Sequence, residues 1–214
     1  MKLRLTPHRS AGLGLTCSTA AAVLLLIGCG SSSEVQPGEQ VVGCDGQIYI
    51  APAESPYVLP FAQGMAFETG LTNCSSSFHG PGSPDQYAFD FNMPNGTPFI
   101  ASRAGTVFRV VEDQPSEGGG GAAGNYVVID HQDDTYGLYY HSPKDGIDVV
   151  VGDEVEQGDV LGKTGRSGYA GYSHLHFLVV QGDPTYPYDG LAISFRNAAP
   201  PDVALKGDTK YEAR

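Results

Sequence analysis

His174-Leu175-His176-Phe177-Leu178-Val179-Val180 reads as a β-strand. Side chains on a strand alternate between its two faces, so His174 and His176 point the same way, about 6.6 Å apart along the chain, while Leu175 points into a core. Two imidazoles on one face can serve as a metal ligand, a proton carrier, or one of each. Segments of the same kind recur outward from this one. Tyr87-Ala88-Phe89-Asp90-Phe91, Pro98-Phe99-Ile100-Ala101 and Thr106-Val107-Phe108-Arg109-Val110-Val111 are short strand patterns divided by turns. Tyr126-Val127-Val128-Ile129-Asp130 and Tyr136-Gly137-Leu138-Tyr139-Tyr140 flank a polar turn and predict a hairpin. Val149 to Val155 and Asp159 to Gly162 read as a further pair of short strands, Ala192 to Phe195 as the last one, and Gln47 to Ile50 as an early one. No segment has the pattern of a helix of ordinary length. The 29 glycines and 15 prolines of the 214 residues fit the same picture, an all-β fold built on an antiparallel sheet.

The first residues do not belong to that fold. Lys2, Arg4 and Arg9 precede the apolar run Ala20 to Ile27, which has signal-peptide length and is short for a membrane span. Leu26-Ile27-Gly28-Cys29 resembles a bacterial lipobox, with cleavage before Cys29 and lipid on its thiol; an ordinary signal peptide cut nearby is the plainer alternative. Residues 1–28 are thus expected to be a lipoprotein signal peptide, and the Ser-rich residues 29–42 a flexible tether. The main domain is expected over 43–198, with 43–72 as its lead-in, and residues 199–214 as a loosely ordered C-terminal tail. Loss of residues 1–28 leaves 9 basic against 24 acidic side chains, a net charge of −15, which argues against nucleic acid or an anionic membrane surface as partner. Cys44 and Cys74 are expected to pair in an exported protein; they lack the C-x-x-C spacing of a thiolate metal site, and two buried free thiols are the alternative.

Of the six histidines, His8 leaves with the signal peptide and His131 sits in a polar turn, where a structural role is expected. His79, His141, His174 and His176 remain. A catalytic zinc site takes three ligands of the His or Asp/Glu type and keeps a fourth position for water, whose pKa falls from about 15.7 toward about 7. Such a site also needs a general base or a donor to the transition state, commonly another histidine. Four histidines and one aspartate can supply that set.

Taken in order, Tyr87 to Phe91, Pro94-Asn95-Gly96-Thr97-Pro98, Ala104-Gly105-Thr106-Val107, Gly124 to His131, Tyr139-Tyr140-His141, Gly152 to Gly162 and His174 to Phe177 resemble the lysostaphin/LytM-type zinc metalloendopeptidases. These are mostly peptidoglycan hydrolases. The resemblance runs from about Tyr57 to Asn197 and implies a LytM-type antiparallel sheet or sandwich with an open substrate groove. It implies one Zn2+ per chain, with Asp90 and His176 as ligands and His141 and His174 as the catalytic histidines. Its commonest pattern places the first ligand four residues before the aspartate, where this chain has Gln86. His79, eleven residues before Asp90, is the expected replacement; the alternative is a site that has lost a ligand, in a non-catalytic regulator or binding module of cell-wall hydrolases. The implied reaction is hydrolysis of peptidoglycan stem peptides or bridges by a metal-activated water. The implied place is the cell envelope, on a membrane through the lipid at Cys29, in the periplasm on the outer membrane if the cell has two. Arg166-Ser167-Gly168-Tyr169 reads equally as a groove loop or a surface turn.

Overall fold

The computed structural model describes residues 43–118 and 123–214. The signal peptide, Cys29 and the tether over 29–42 lie outside the described residues. Among the described residues the chain forms twelve strands: β1 (Ala66–Thr69), β2 (Phe89–Phe91), β3 (Pro98–Ile100), β4 (Gly105–Val111), β5 (Asn125–Asp130), β6 (Thr135–Ser142), β7 (Glu154–Val155), β8 (Val160–Lys163), β9 (Leu175–Gln181), β10 (Asp189–Leu191), β11 (Ala198–Ala199) and β12 (Thr209–Ala213). The helical content described is two single 3-10 turns, Pro52–Glu54 and Ser77–His79.

Ten strands join one antiparallel sheet in the order β11-β12-β1-β2-β9-β6-β5-β4-β7, with β10 also on β9; β3 and β8 form a separate ribbon. The alternation of β9 sorts its side chains between two cores. Leu175, Phe177 and Val179 enter the larger one with Phe89 and Phe91 of β2, Phe61 and Phe195. Leu178 and Val180 enter a smaller one on the opposite face with Val128, Leu138 and Tyr188. Asp90 and His176 are paired across β2 and β9, and Tyr140 of β6 is paired with His176, so the three residues form a row across neighbouring strands. That row lies on the face away from the larger core, where a polar cluster can open to solvent.

The predicted hairpin is present as β5 and β6. It carries a bulge: Tyr126 pairs with Tyr140 and Asn125 with Ser142, leaving His141 as the extra residue at φ 80°. Tyr139 is fully buried and its hydroxyl accepts the Ser102 amide, whereas Tyr140 borders His176. His131 plays a local part, its Nδ1 lying 3.0 Å from Thr135 Oγ1.

Four expectations are corrected. Gln47 to Ile50 is not a strand, because its backbone pairs with no neighbouring strand among the described residues; Tyr49 turns in to bond Asn73 while Ile48 and Ile50 are exposed. Residues 192–195 run as irregular chain, with Ile193 and Phe195 buried in the larger core. The segments around 154 and 160 do not pair with each other: β7 lies on β4 and β8 on β3. Residues 199–214 are ordered. β12 pairs with β1 over four residues, and the alternation of Thr209-Lys210-Tyr211-Glu212-Ala213 buries Tyr211 and Ala213 completely. The sheet would otherwise end at β1 with Phe67 uncovered. The Tyr211 hydroxyl donates to Asp202 Oδ2 at 2.6 Å and accepts the Lys206 amide, which anchors the segment. Tyr211→Ala therefore lowers unfolding stability by about 3–5 kcal/mol, the range for emptying a buried aromatic site, as read from urea denaturation. An unchanged midpoint would return residues 199–214 to the status of a tail.

Candidate metal centre

Asp90 Oδ1 is the point on which the site converges. His176 Nδ1 lies 2.9 Å from it, His79 Nε2 3.4 Å and His174 Nε2 3.7 Å. Asp90 is 4% exposed, His79 1% and His174 5%. A buried carboxylate facing three imidazoles is held far below the usual carboxylate range: burial opposes the charge, and hydrogen bonds from His176 and His79 outweigh it.

The sequence explains how each group arrives. Asp90 and His176 come from the paired register of β2 and β9. His79 ends the short 3-10 turn Ser77–His79, in a loop that starts at Cys74. Cys44 and Cys74 are joined by a disulfide with Cα atoms 5.0 Å apart, which ties this loop to the lead-in. The Cys74 amide also donates to the Gln86 carbonyl, closing the loop at its far end. Gln86 stays out of the site; its Oε1 accepts the Gly82 amide within the intervening turn.

His79, Asp90 and His176 place one donor atom each within 4.8 Å of one another. Tetrahedral ligands at about 2.0–2.2 Å from a zinc ion stand roughly 3.3 Å apart, close to the separations found here, and two imidazole nitrogens with one carboxylate oxygen are a zinc-type donor set. The residues present fit such an ion. Burial of His176 is outweighed by its hydrogen bonds to Asp85 and Asp90, and the imidazole is pushed up to about 9.

His141 and His174 stand beside this set, their rings 4.6 Å apart. The donor atoms of His141, His174 and His176 also lie within 4.8 Å of one another. His141 Nδ1 is 2.9 Å from the Ser167 carbonyl and His174 Nδ1 3.0 Å from the Tyr172 carbonyl. A carbonyl only accepts, so each Nδ1 carries the proton and each Nε2 keeps its lone pair. Burial, then the neighbouring histidines, push His141 down to about 3; burial also lowers His174. Two features of the chain allow these contacts. The bulge re-aims His141, and Gly165 permits the close approach of its strand, since a Cβ there would sit 2.9 Å from the His141 carbonyl oxygen.

The site opens into a groove of about 730 Å³ lined by Asp90, His174, Tyr172, the 75–78 loop, Tyr169 and, from the C-terminal segment, Gly207 and Asp208. Phe78 and Tyr169 meet edge to face at its rim, 5.0 Å between ring centres. Of the Arg166 to Tyr169 loop, Tyr169 faces the groove and Arg166 pairs outward with Glu117. Asp85, Tyr188 and the carbonyls of Ser167 and Tyr172 also border the site and are not legible in the sequence. Backbone carbonyls carry no residue signal, and Asp85 sits among the turn formers Ser83-Pro84-Asp85. Long-range 1H–15N spectra should show His141 and His174 as neutral Nδ1–H tautomers at pH 7, with His141 still neutral at pH 5; a protonated His141 at pH 5 would contradict the geometry.

Residues 85–187 match the model of peptidase family M23, a stretch that begins after His79. The peptidoglycan DD-endopeptidase ShyA of Vibrio cholerae is 38% identical over 96 residues, 44% of this chain and 20% of its own length. Lysostaphin of Staphylococcus simulans is 37% identical over 92 residues, 42% of this chain and 17% of its own. The matched stretch thus spans about a fifth of each of these relatives. Among solved structures, the catalytic domain of the M23 protein EnpA from Enterococcus faecalis aligns at 24% identity and a TM-score of 0.47, covering 60% of this chain and 92% of that one. The all-β sheet and the convergent His/Asp cluster agree with that match: residues 85–187 are similar to peptidase family M23.

Proposed function

We propose that the protein is a zinc-dependent endopeptidase that hydrolyses peptide cross-links or bridges of bacterial peptidoglycan, held in the cell envelope by lipid on Cys29. The observation that carries this reading is the complete set around Asp90 Oδ1: three donors in one cradle, with two neutral histidines beside it and a groove in front. His79, Asp90 and His176 would hold the ion. A bound zinc ion supplies Lewis acidity and lowers the pKa of a water toward neutrality.

The chain's own groups do the rest. His141 and His174 present bare Nε2 atoms, which suits taking a proton from the attacking water and returning it to the leaving amine. Once protonated, either Nε2–H can donate to the developing oxyanion. Their Nδ1–H bonds to backbone carbonyls hold the ring orientations throughout. The groove lined by Asp90, His174 and Tyr172 is where the peptide would lie. A regulator that has lost a ligand is the weaker reading, because His79 Nε2 lies 3.4 Å from Asp90 Oδ1, where it could supply the donor that Gln86 does not.

The full chain in mild detergent, loaded with zinc, should release fragments from peptidoglycan sacculi, and a chelator should stop it. His174→Ala should retain zinc and lose activity by about 100-fold or more. His79→Ala should fail to hold stoichiometric zinc. Wild-type protein that holds zinc yet releases no fragment would favour the regulatory reading, and His79→Ala with full zinc content would remove His79 from the ligand set.

A further inference from the structure

Both ring nitrogens of His176 face a carboxylate. Nδ1 lies 2.9 Å from Asp90 Oδ1, and Nε2 lies 3.4 Å from Asp85 Oδ1. Asp85 Oδ1 also accepts the Tyr188 hydroxyl at 2.5 Å. The two residues reach this point from separate segments. Asp85 sits in the turn ahead of β2, where its carbonyl accepts the Ala88 amide at 2.9 Å. Tyr188 immediately precedes β10, which pairs with β9 beyond the site, and its side chain is packed in the smaller core. Tyr140, paired with His176 across the sheet, lies edge-on to the imidazole at 5.7 Å.

The chemistry of a neutral imidazole makes this arrangement consequential. A nitrogen that faces a metal is unprotonated, so the ring proton must sit on the other nitrogen, and a largely buried N–H needs an acceptor. For His176 the metal-facing atom is Nδ1, and the acceptor at Nε2 is Asp85. Among the described residues His79 lacks an equivalent: its Nδ1 is buried without a partner there. Of the two imidazoles in the cradle, His176 is the one whose ring is fixed by side chains on both edges.

We infer that Asp85, steadied by the Tyr188 hydroxyl, is a positioning residue that fixes the His176 ring with Nδ1 toward Asp90 and Nε2–H toward itself, and so sets the metal affinity of the site. The inference rests on the zinc reading given above. It assigns a role to a residue next to Gln86 and five before Asp90, in a turn that provides no metal donor of its own.

The test is zinc competition against a chromophoric chelator, using the full chain in mild detergent. Asp85→Ala should weaken zinc binding by about 10–100-fold, the usual effect of losing the outer partner of a metal-bound histidine. Tyr188→Phe, which keeps Asp85 but frees it to turn, should weaken binding less. Asp85→Asn, whose amide oxygen can accept the same N–H, should restore part of the loss. The thermal midpoints of the metal-free proteins report whether each variant is folded, and Tyr188→Phe serves if Asp85→Ala is not. In long-range 1H–15N spectra of the zinc-loaded protein, the His176 Nε2–H proton should be protected from exchange in the wild type and lose that protection in Asp85→Ala. Wild-type protein that binds no zinc would overturn the zinc reading and this inference with it. Wild-type protein that binds zinc, with folded Asp85→Ala and Tyr188→Phe binding within twofold of it, would overturn the inference alone.

Discussion

The register between β2 and β9 is the constraint on which the site depends. Asp90 sits directly across from His176, and both face away from the larger core because Phe89, Phe91, Leu175 and Phe177 face into it. Four aromatic and aliphatic side chains thus decide where one carboxylate and one imidazole point. A slip of a single residue would exchange the two sets, placing the polar pair in the core and the phenyl rings in the groove. The apolar packing that folds the sheet is therefore also what aims the polar cluster.

The remaining groups are brought to this pair by less regular means. His141 arrives through a bulge, His174 from the end of the loop that enters β9, and His79 from a 3-10 turn in a loop held by a disulfide and a backbone hydrogen bond. Each of the two histidines outside the cradle is then locked by a carbonyl. A rigid pair supplied by the sheet, with the adaptable groups supplied by loops, is a division common in sites built on rigid scaffolds.

What the sequence made legible follows from this division. Period-two patterns with a nearby partner, such as β5 and β6, were readable because local alternation and a polar turn specify a hairpin. The shared face of His174 and His176 followed from the same period. Gln47 to Ile50 has as good an alternation, but no strand lies beside it, and alternation alone does not make a sheet. Residues 209–213 show the opposite case: the alternation is present, but its partner, β1, lies some 140 residues earlier and is itself only four residues long. Asp85 was invisible for a different reason. Its role depends on Tyr188, about a hundred residues away, and on which nitrogen of His176 faces Asp90, and neither leaves a mark in the local sequence.

The bulge in β6 also sets a tension between durability and chemistry. At φ 80°, His141 occupies left-handed backbone that costs an L-residue with a full side chain of order 1–2 kcal/mol and costs glycine almost nothing. Glycine at this position would relieve that strain and remove the imidazole. The imidazole beside the cradle is therefore held at the expense of backbone strain, and the fold would be more stable without it.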